Sequence, residues 1–391
     1  MSSAQIEIQL IAVVVALACA IPGTFLVLRQ MAMISDAISH SILPGIVIGF
    51  LITQNISSPF LIFFAALTGV LTVVAVESIT KTNLVKEDTA IGLVFPAFFS
   101  IGVLIISSQL GGIHIDTDAV LVGELAYAPL DRLIIFDLDI GPISLWVMLG
   151  ILSLTLFLLI FFYKELKIST FDAELAASLG FTPVVIHYFL MSITSLTTVG
   201  AFNAVGAILV VALIVVPPAS AYLLTNDLSK MLLYSSLIAI FSAIGGYWIA
   251  HLANTSISGS IATLLGLIFL FVFLFAPDNG LISVFSRQKR QKMEFSMLTF
   301  LIHLKNHSFS NNNPPEREIS HLTEGHFRWN KSLAKKILEF AEKNNMISID
   351  NGMINLTDRG EKFTSEALNF ILNNETSKLE DINERFLLFR G

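Results

Sequence analysis

Asp36-Ala37-Ile38-Ser39-His40-Ser41-Ile42-Leu43-Pro44-Gly45 opens an otherwise apolar run that continues to Thr53. On a helix, residues four apart share a face, so Asp36 and His40 point the same way. A carboxylate and an imidazole side by side supply half of a ligand set for a divalent metal. The run itself reads as a membrane span, and ionisable groups inside a span are costly and mark ion pathways. The stretch therefore predicts a metal ion crossing a membrane past Asp36 and His40. The structural alternative for the same pair is a plain hydrogen bond between helices.

The rest of the chain fits a span at that place. Its 391 residues are 54% hydrophobic and 14% charged, with a mean hydropathy of +0.76. A soluble chain of this length carries far more polar surface. Runs of about 20 apolar residues give about nine spans: 6–28, 36–53, 59–79, 89–108, 143–163, 183–201, 205–225, 231–251 and 257–276. Only 7 of the 23 Lys and Arg residues precede Ser286, and the other 16 follow it. That break divides a transmembrane domain, 1–286, from a linker with a first tail helix, 287–315, and a terminal domain, 316–391. The formal net charge of -7 averages two unlike parts and says little about partners.

Lysine and arginine also set the orientation. With nine spans, alternate loops hold Arg29, then Lys81 and Lys86, then Lys164 and Lys167, then Lys230, then the cluster after Ser286, and only Arg132 lies opposite. This places those loops and the tail in the cytoplasm, with the N-terminus outside. No basic stretch or cleavage site at the N-terminus suggests a removed signal peptide. The single cysteine, Cys19, rules out a disulfide within the chain and a thiolate cluster, and reads as a small core residue.

Residues 109–141 form the longest stretch between spans, with His114, Asp116, Asp118, Glu124, Asp131, Asp137 and Asp139. It reads as an acidic outer vestibule for cations or as a solvated loop. Residues 164–180 predict a short amphipathic helix capped by Ser169 or Thr170 and stopped by Gly180. Glu77 and Lys81 read as an i,i+4 ion pair, and His187 and His251 as histidines near span ends. Asn203 reads as a turn residue between two spans. Pro44 and Pro218 predict helix kinks near the path.

Four motifs then carry a resemblance. GTFLVLRQMAMISDAISHSILPG at 23–45, EDTAIGL at 87–93, FDAELAASLG at 171–180 and VGAILVVALIVVPPASAYL at 205–223 resemble membrane subunits of bacterial ATP-binding-cassette importers for zinc, manganese or iron. The chain departs from the common pattern in having two adjacent prolines, Pro217 and Pro218. The resemblance implies an all-α polytopic permease of the type II importer kind. It implies a second permease subunit, identical or not, two cytoplasmic ATP-binding subunits and an extracellular solute-binding protein. Residues 171–180, with Phe171, Asp172, Glu174 and Gly180, become the segment that couples to the ATPase. The chain carries no GxxxxGK[ST] phosphate loop, so it is expected not to be an enzyme, with ATP hydrolysis on a separate subunit. No cofactor is expected to stay bound, since Mn2+, Zn2+ or Fe2+ is cargo.

A two-fold pair of chains brings two carboxylates and two imidazoles together, an oxygen and nitrogen set suited to those ions. Two rivals use the same residues. In an ion-coupled secondary metal transporter Asp36 and His40 relay protons, and in a membrane-tethered metal-responsive regulator the tail is the output.

In the tail, residues 295–307 and 329–344 predict helices, and residues 346–356 two short strands around Asp350-Asn351-Gly352. Thr357 caps a last helix running to about Leu372. Helix, helix, hairpin, helix resembles a small α+β winged-helix domain in the cytoplasm. Beyond Ser286 there are 16 basic and 14 acidic residues, and Lys331, Lys335, Lys336 and Lys343 form only a weak basic footprint. A regulatory or docking role beside the ATPase is preferred to nucleic-acid binding. His303, His307, His321 and His326 read as exposed histidines rather than a metal sensor.

Overall fold

The computed structural model describes residues 3–55, 58–109, 125–135, 138–308, 322, 329–350 and 352–372. The chain divides into two units, Met1–Leu281 and Ile282–Gly391.

In the first unit the helices are α1 (Ser3–Leu28), α2 (Ile34–Ser41), α3 (Leu43–Thr53), α4 (Pro59–Thr80), α5 (Glu87–Gln109), α6 (Ile143–Phe161), α7 (Tyr163–Phe171), α8 (Ala173–Ser178), α9 (Pro183–Val205), α10 (Ala207–Leu224), α11 (Leu228–Ala253) and α12 (Ile257–Phe275). Among the described residues nine segments are long and apolar enough to cross a membrane, with α2 and α3 together forming the second. α1 is the axis of the unit and packs on α6, α9, α10 and α11. Its inner residues are small, with Ala16, Ala18, Cys19 and Ala20 all buried, and small side chains let membrane helices approach closely. Some hydroxyls in this core return to their own helix, as where Thr24 Oγ1 donates to the Ala20 carbonyl at 3.0 Å, so that threonine oxygen is not stranded in an apolar setting. Cys19 is fully buried.

Three local expectations change. The stretch between α5 and α6 is not only a loop: β1 (Arg132–Ile135) and β2 (Leu138–Pro142) pair antiparallel after a 3-10 turn at Ala128–Leu130. Its His114, Asp116, Asp118, Glu124 and Asp137 lie outside the described residues. Asn203 is not the turn between α9 and α10. It lies in the last turn of α9, and the link is Gly206 alone at φ +83°, a conformation that costs glycine nothing. The second span is broken at Ile42, where α2 ends and α3 starts with Pro44 in its first turn. Proline has no N–H to return to the His40 carbonyl four residues earlier, so it suits a helix start and not a helix interior.

The second unit holds α13 (Leu281–Ser308), α14 (Lys331–Lys343), β3 (Ile347–Asp350), β4 (Met353–Leu356) and α15 (Asp358–Leu372), with Leu281 itself counted in the first unit. The helix expected at 295–307 is part of the longer α13. Its charged start supports helix, as Arg290 Nε donates to Glu294 one turn on at 2.7 Å. Met297, Phe300, Leu301 and Leu304 of α13 bury against Ile337, Leu338 and Ala341 of α14, Ile347 and Ile354 of the hairpin and Phe363 of α15. Asn330 caps α14 and Thr357 caps α15, its hydroxyl accepting from Gly360 N at 3.1 Å. Side chains of His307, His321 and His326 lie outside the described residues.

Candidate metal pathway and coupling segment

α2 is a short helix lodged among α4, α5, α9 and α10. One face is apolar and buried, with Ile34, Ala37, Ile38 and Ile42. Ser41 accepts a 2.7 Å hydrogen bond from Thr72 Oγ1 of α4, which fixes α2 about its axis. Gly69 of α4 lets the helices close, since a Cβ there would lie 2.1 Å from Ser195 Oγ of α9 and 3.0 Å from Ile38 Cγ2. The other face of α2 carries the two ionisable residues. His40 Nε2 stands 3.5 Å from Asp36 Oδ1, and each side chain is 34% exposed. The His40 ring lies 5.7 Å from the ring of Phe95 on α5. Both groups are thus held by one helix, aimed the same way and open on one side. Among the described residues no cluster of three or more His, Cys, Asp or Glu side chains gathers to hold a metal. Two ligands from one chain leave a site incomplete for any of the first-row dications.

Pro217 and Pro218 lie inside α10, where both are buried. Residues 171–180 form a compact unit, though not with the expected cap. Tyr163–Phe171 is a helix of its own, and Asp172 breaks it with extended backbone. Asp172 Oδ1 then accepts from Leu175 N at 2.8 Å, so Asp172 and not Ser169 or Thr170 caps α8. Glu174 sits in the first turn, where the helix dipole favours an acid. Gly180 stops the helix at φ +88°. Phe171, Leu175 and Leu179 project from the chain at 59%, 48% and 57% exposure. Three apolar side chains on a polar connector form a patch of the kind that partners cover.

Ser169 and Thr170 serve elsewhere. Arg29, just past α1, donates from Nε to Thr170 Oγ1 at 3.2 Å and from an Nη to Ser169 Oγ at 3.4 Å. Its other Nη faces His187 Nδ1 at 3.4 Å. Burial pulls the Arg29 guanidinium below its ordinary value, though arginine remains charged at any working pH. His187 Nε2 contacts Glu77 Oε1, and Tyr188 donates to Glu77 Oε2 at 2.8 Å. The expected Glu77–Lys81 pair is present at 3.4 Å. Glu77 and His187 stand 110 positions apart, so no local spacing in the sequence connects them. His251 stacks on Tyr247 one turn earlier.

Near the β-hairpin, Arg132 bridges Asp139 at 2.7 Å and Glu7 of α1 at 2.8 Å. The Arg132 hydrogen bond holds the Asp139 carboxyl below its ordinary value, and Asp139 with Glu7 lifts Arg132. Arg132 thus offsets two of the acidic groups at this point.

A bundle of this many apolar helices, with polar groups kept to interior and end positions, is that of a multi-pass membrane permease. The chain belongs to the ABC 3 transport family, whose model matches residues 4–276. It is 42% identical over 362 residues to the zinc transport system membrane protein TroD of Treponema pallidum, covering 93% of this chain and 98% of that one. It is 44% identical over 271 residues to the manganese transport system membrane protein MntD of Bacillus subtilis, covering 69% of this chain and 92% of that one. Among solved structures, PsaBC from Streptococcus pneumoniae in complex with Fab aligns at a TM-score of 0.60 and 28% identity, over 71% of this chain and 94% of that one.

Proposed function

We propose that this chain is the membrane-spanning subunit of an ATP-driven importer of a divalent metal, Mn2+, Zn2+ or Fe2+. The observation that carries the reading is the Asp36–His40 pair, 3.5 Å apart on one face of a short helix and partly exposed. A carboxylate offers charge to a dication and a neutral imidazole offers a lone pair, without the thiolates that select the softest ions. A second permease subunit related by a two-fold axis completes the ligand set and halves the charge each chain must bury. The names of TroD and MntD, zinc and manganese transport system membrane proteins, support the cargo class.

α8 and the exposed Phe171, Leu175 and Leu179 dock on a cytoplasmic ATP-hydrolysing subunit. The metal arrives from an extracellular solute-binding protein. The basic residues at the ends of α1, α4, α6 and α10 put those ends in the cytoplasm, with the N-terminus outside. The second unit is a regulatory or docking module on the cytoplasmic side. The likeness to TroD extends over 93% of the chain, well past residue 276, so that relative shares more than the permease.

The test is uptake of radioactive Mn2+ and Zn2+ by vesicles holding the whole transporter. Asp36→Asn and His40→Ala each bring ATP-dependent uptake to background while membrane abundance stays normal. Normal uptake with both replaced overturns the reading of this pair, and uptake without the ATP-hydrolysing subunit overturns the importer.

A further inference from the structure

Arg29, His187 and Glu77 take no part in the proposed metal site, yet they form a continuous polar line through the bundle end that bears α7 and α8. The line starts on the last two polar side chains of α7, Ser169 and Thr170, both bonded to Arg29. It crosses to α9 through His187 Nδ1, 3.4 Å from Arg29, and ends on Glu77 of α4, which contacts His187 Nε2. Tyr188 Oη and Lys81 Nζ fix the second Glu77 oxygen at 2.8 Å and 3.4 Å. Residues of α4, α7 and α9 and the end of α1 thus share one set of side chains.

The chemistry gives the line a direction. A guanidinium has no acceptor, so it donates to Nδ1, which must carry a lone pair. The remaining ring proton then sits on Nε2 and points at the Glu77 carboxylate. His187 is a neutral bridge with a cation at one end and an anion at the other, and such charge-assisted bonds are the strong ones. With Nε2 protonated and a guanidinium beside Nδ1, neither nitrogen is open to a metal. Phe25, Leu166 and Leu190, one turn along the chain from Arg29, Ser169 and His187, pack with Leu228 as a small apolar cluster. Further along α4, Thr72 holds Ser41, the residue after His40.

We infer that Arg29 and His187 are positioning residues that carry movement of the ATPase-docking segment into α4 and α9, and through Thr72 into the helix bearing Asp36 and His40. This rests on the reading of α8 as that segment. The rigid line matters because a loose contact between α7 and α4 dissipates a displacement instead of passing it on.

The experiment uses the complete transporter in vesicles, with Mn2+ uptake and ATP hydrolysis measured together. His187→Leu keeps ATP hydrolysis within about twofold and lowers uptake about tenfold, the size of an ordinary coupling between sites. His187→Gln restores most of the uptake, because its amide accepts from Arg29 and donates to Glu77. The double variant Ser169→Ala, Thr170→Val releases Arg29 from α7 only and repeats the His187→Leu result. It also decides the matter if His187→Leu fails to fold. Unchanged uptake in the folded variants overturns the inference. So does a parallel fall of uptake and hydrolysis that His187→Gln does not rescue, which marks a merely structural contact. Asp36→Asn is the control: loss of uptake there with His187→Leu unaffected separates failure of the line from failure of the metal reading.

Discussion

Single residues decide how closely this bundle closes. Gly69 sits where α4 passes both α2 and α9, and nothing in its local sequence marks it as different from the other glycines. Gly69→Ala drives a methyl group onto Ser195 Oγ, which donates to the Ala66 carbonyl at 2.8 Å. Such overpacking costs about 1–3 kcal/mol. A lower unfolding temperature in detergent is the expected result, and Ser195→Ala in the same chain recovers part of it. The Asp36–His40 pair was legible at this scale, because spacing along one helix is a local property. The Arg29–His187–Glu77 line was not, because tertiary contacts across 110 residues leave no periodic trace. The same limit explains the cap of α8. Ser169 and Thr170 have the right chemistry for capping, but their hydroxyls bind Arg29, and Asp172 takes the role.

At the scale of elements, the apolar runs were the strongest signal in the sequence. A span needs about 20 apolar residues, so the runs mark where spans exist, though not where a merged run such as 183–225 divides. Short elements were weaker. The β1–β2 hairpin has the exposed Ile134 and the charged Arg132 and Asp139, without the alternation that marks a half-buried strand. Its attachment to α1 is electrostatic, and its pH dependence follows in sign. Asp139 has a lowered native value, so its contribution is complete above the unfolded carboxylate value and fades as pH falls through the lowered one. Amide exchange in Arg132–Ile135 and Leu138–Pro142 is expected to accelerate as pH drops below about 4, after correction for intrinsic rates. Asp139→Asn removes that dependence and leaves exchange fast at neutral pH.

For the whole molecule, the two units, Met1–Leu281 and Ile282–Gly391, each bury their own core, and the change in composition lies a few residues past their boundary. The second unit has its own capped helices, hairpin and apolar cluster, so its removal leaves the permease core uncut. A chain ending after residue 281 is expected to insert and to transport Mn2+ or Zn2+, with altered response to metal supply. Uptake measured against external metal concentration in full-length and shortened chains checks this, and loss of insertion contradicts a regulatory role. The order of elements in this unit was readable from turn and cap residues. The length of α13 was not, because a cluster of charges reads equally as linker and as a solvated helix.

The joint between α9 and α10 is a single residue, Gly206. One peptide link reaches no more than about 3.6 Å, so the two rods are hinged with no slack. They can swing against each other, but neither can slide lengthwise alone. A push along α9 from its His187 end is expected to reach the start of α10 at the far end of that helix. Movements at the two ends of this helix pair are therefore expected to be tied together through one glycine.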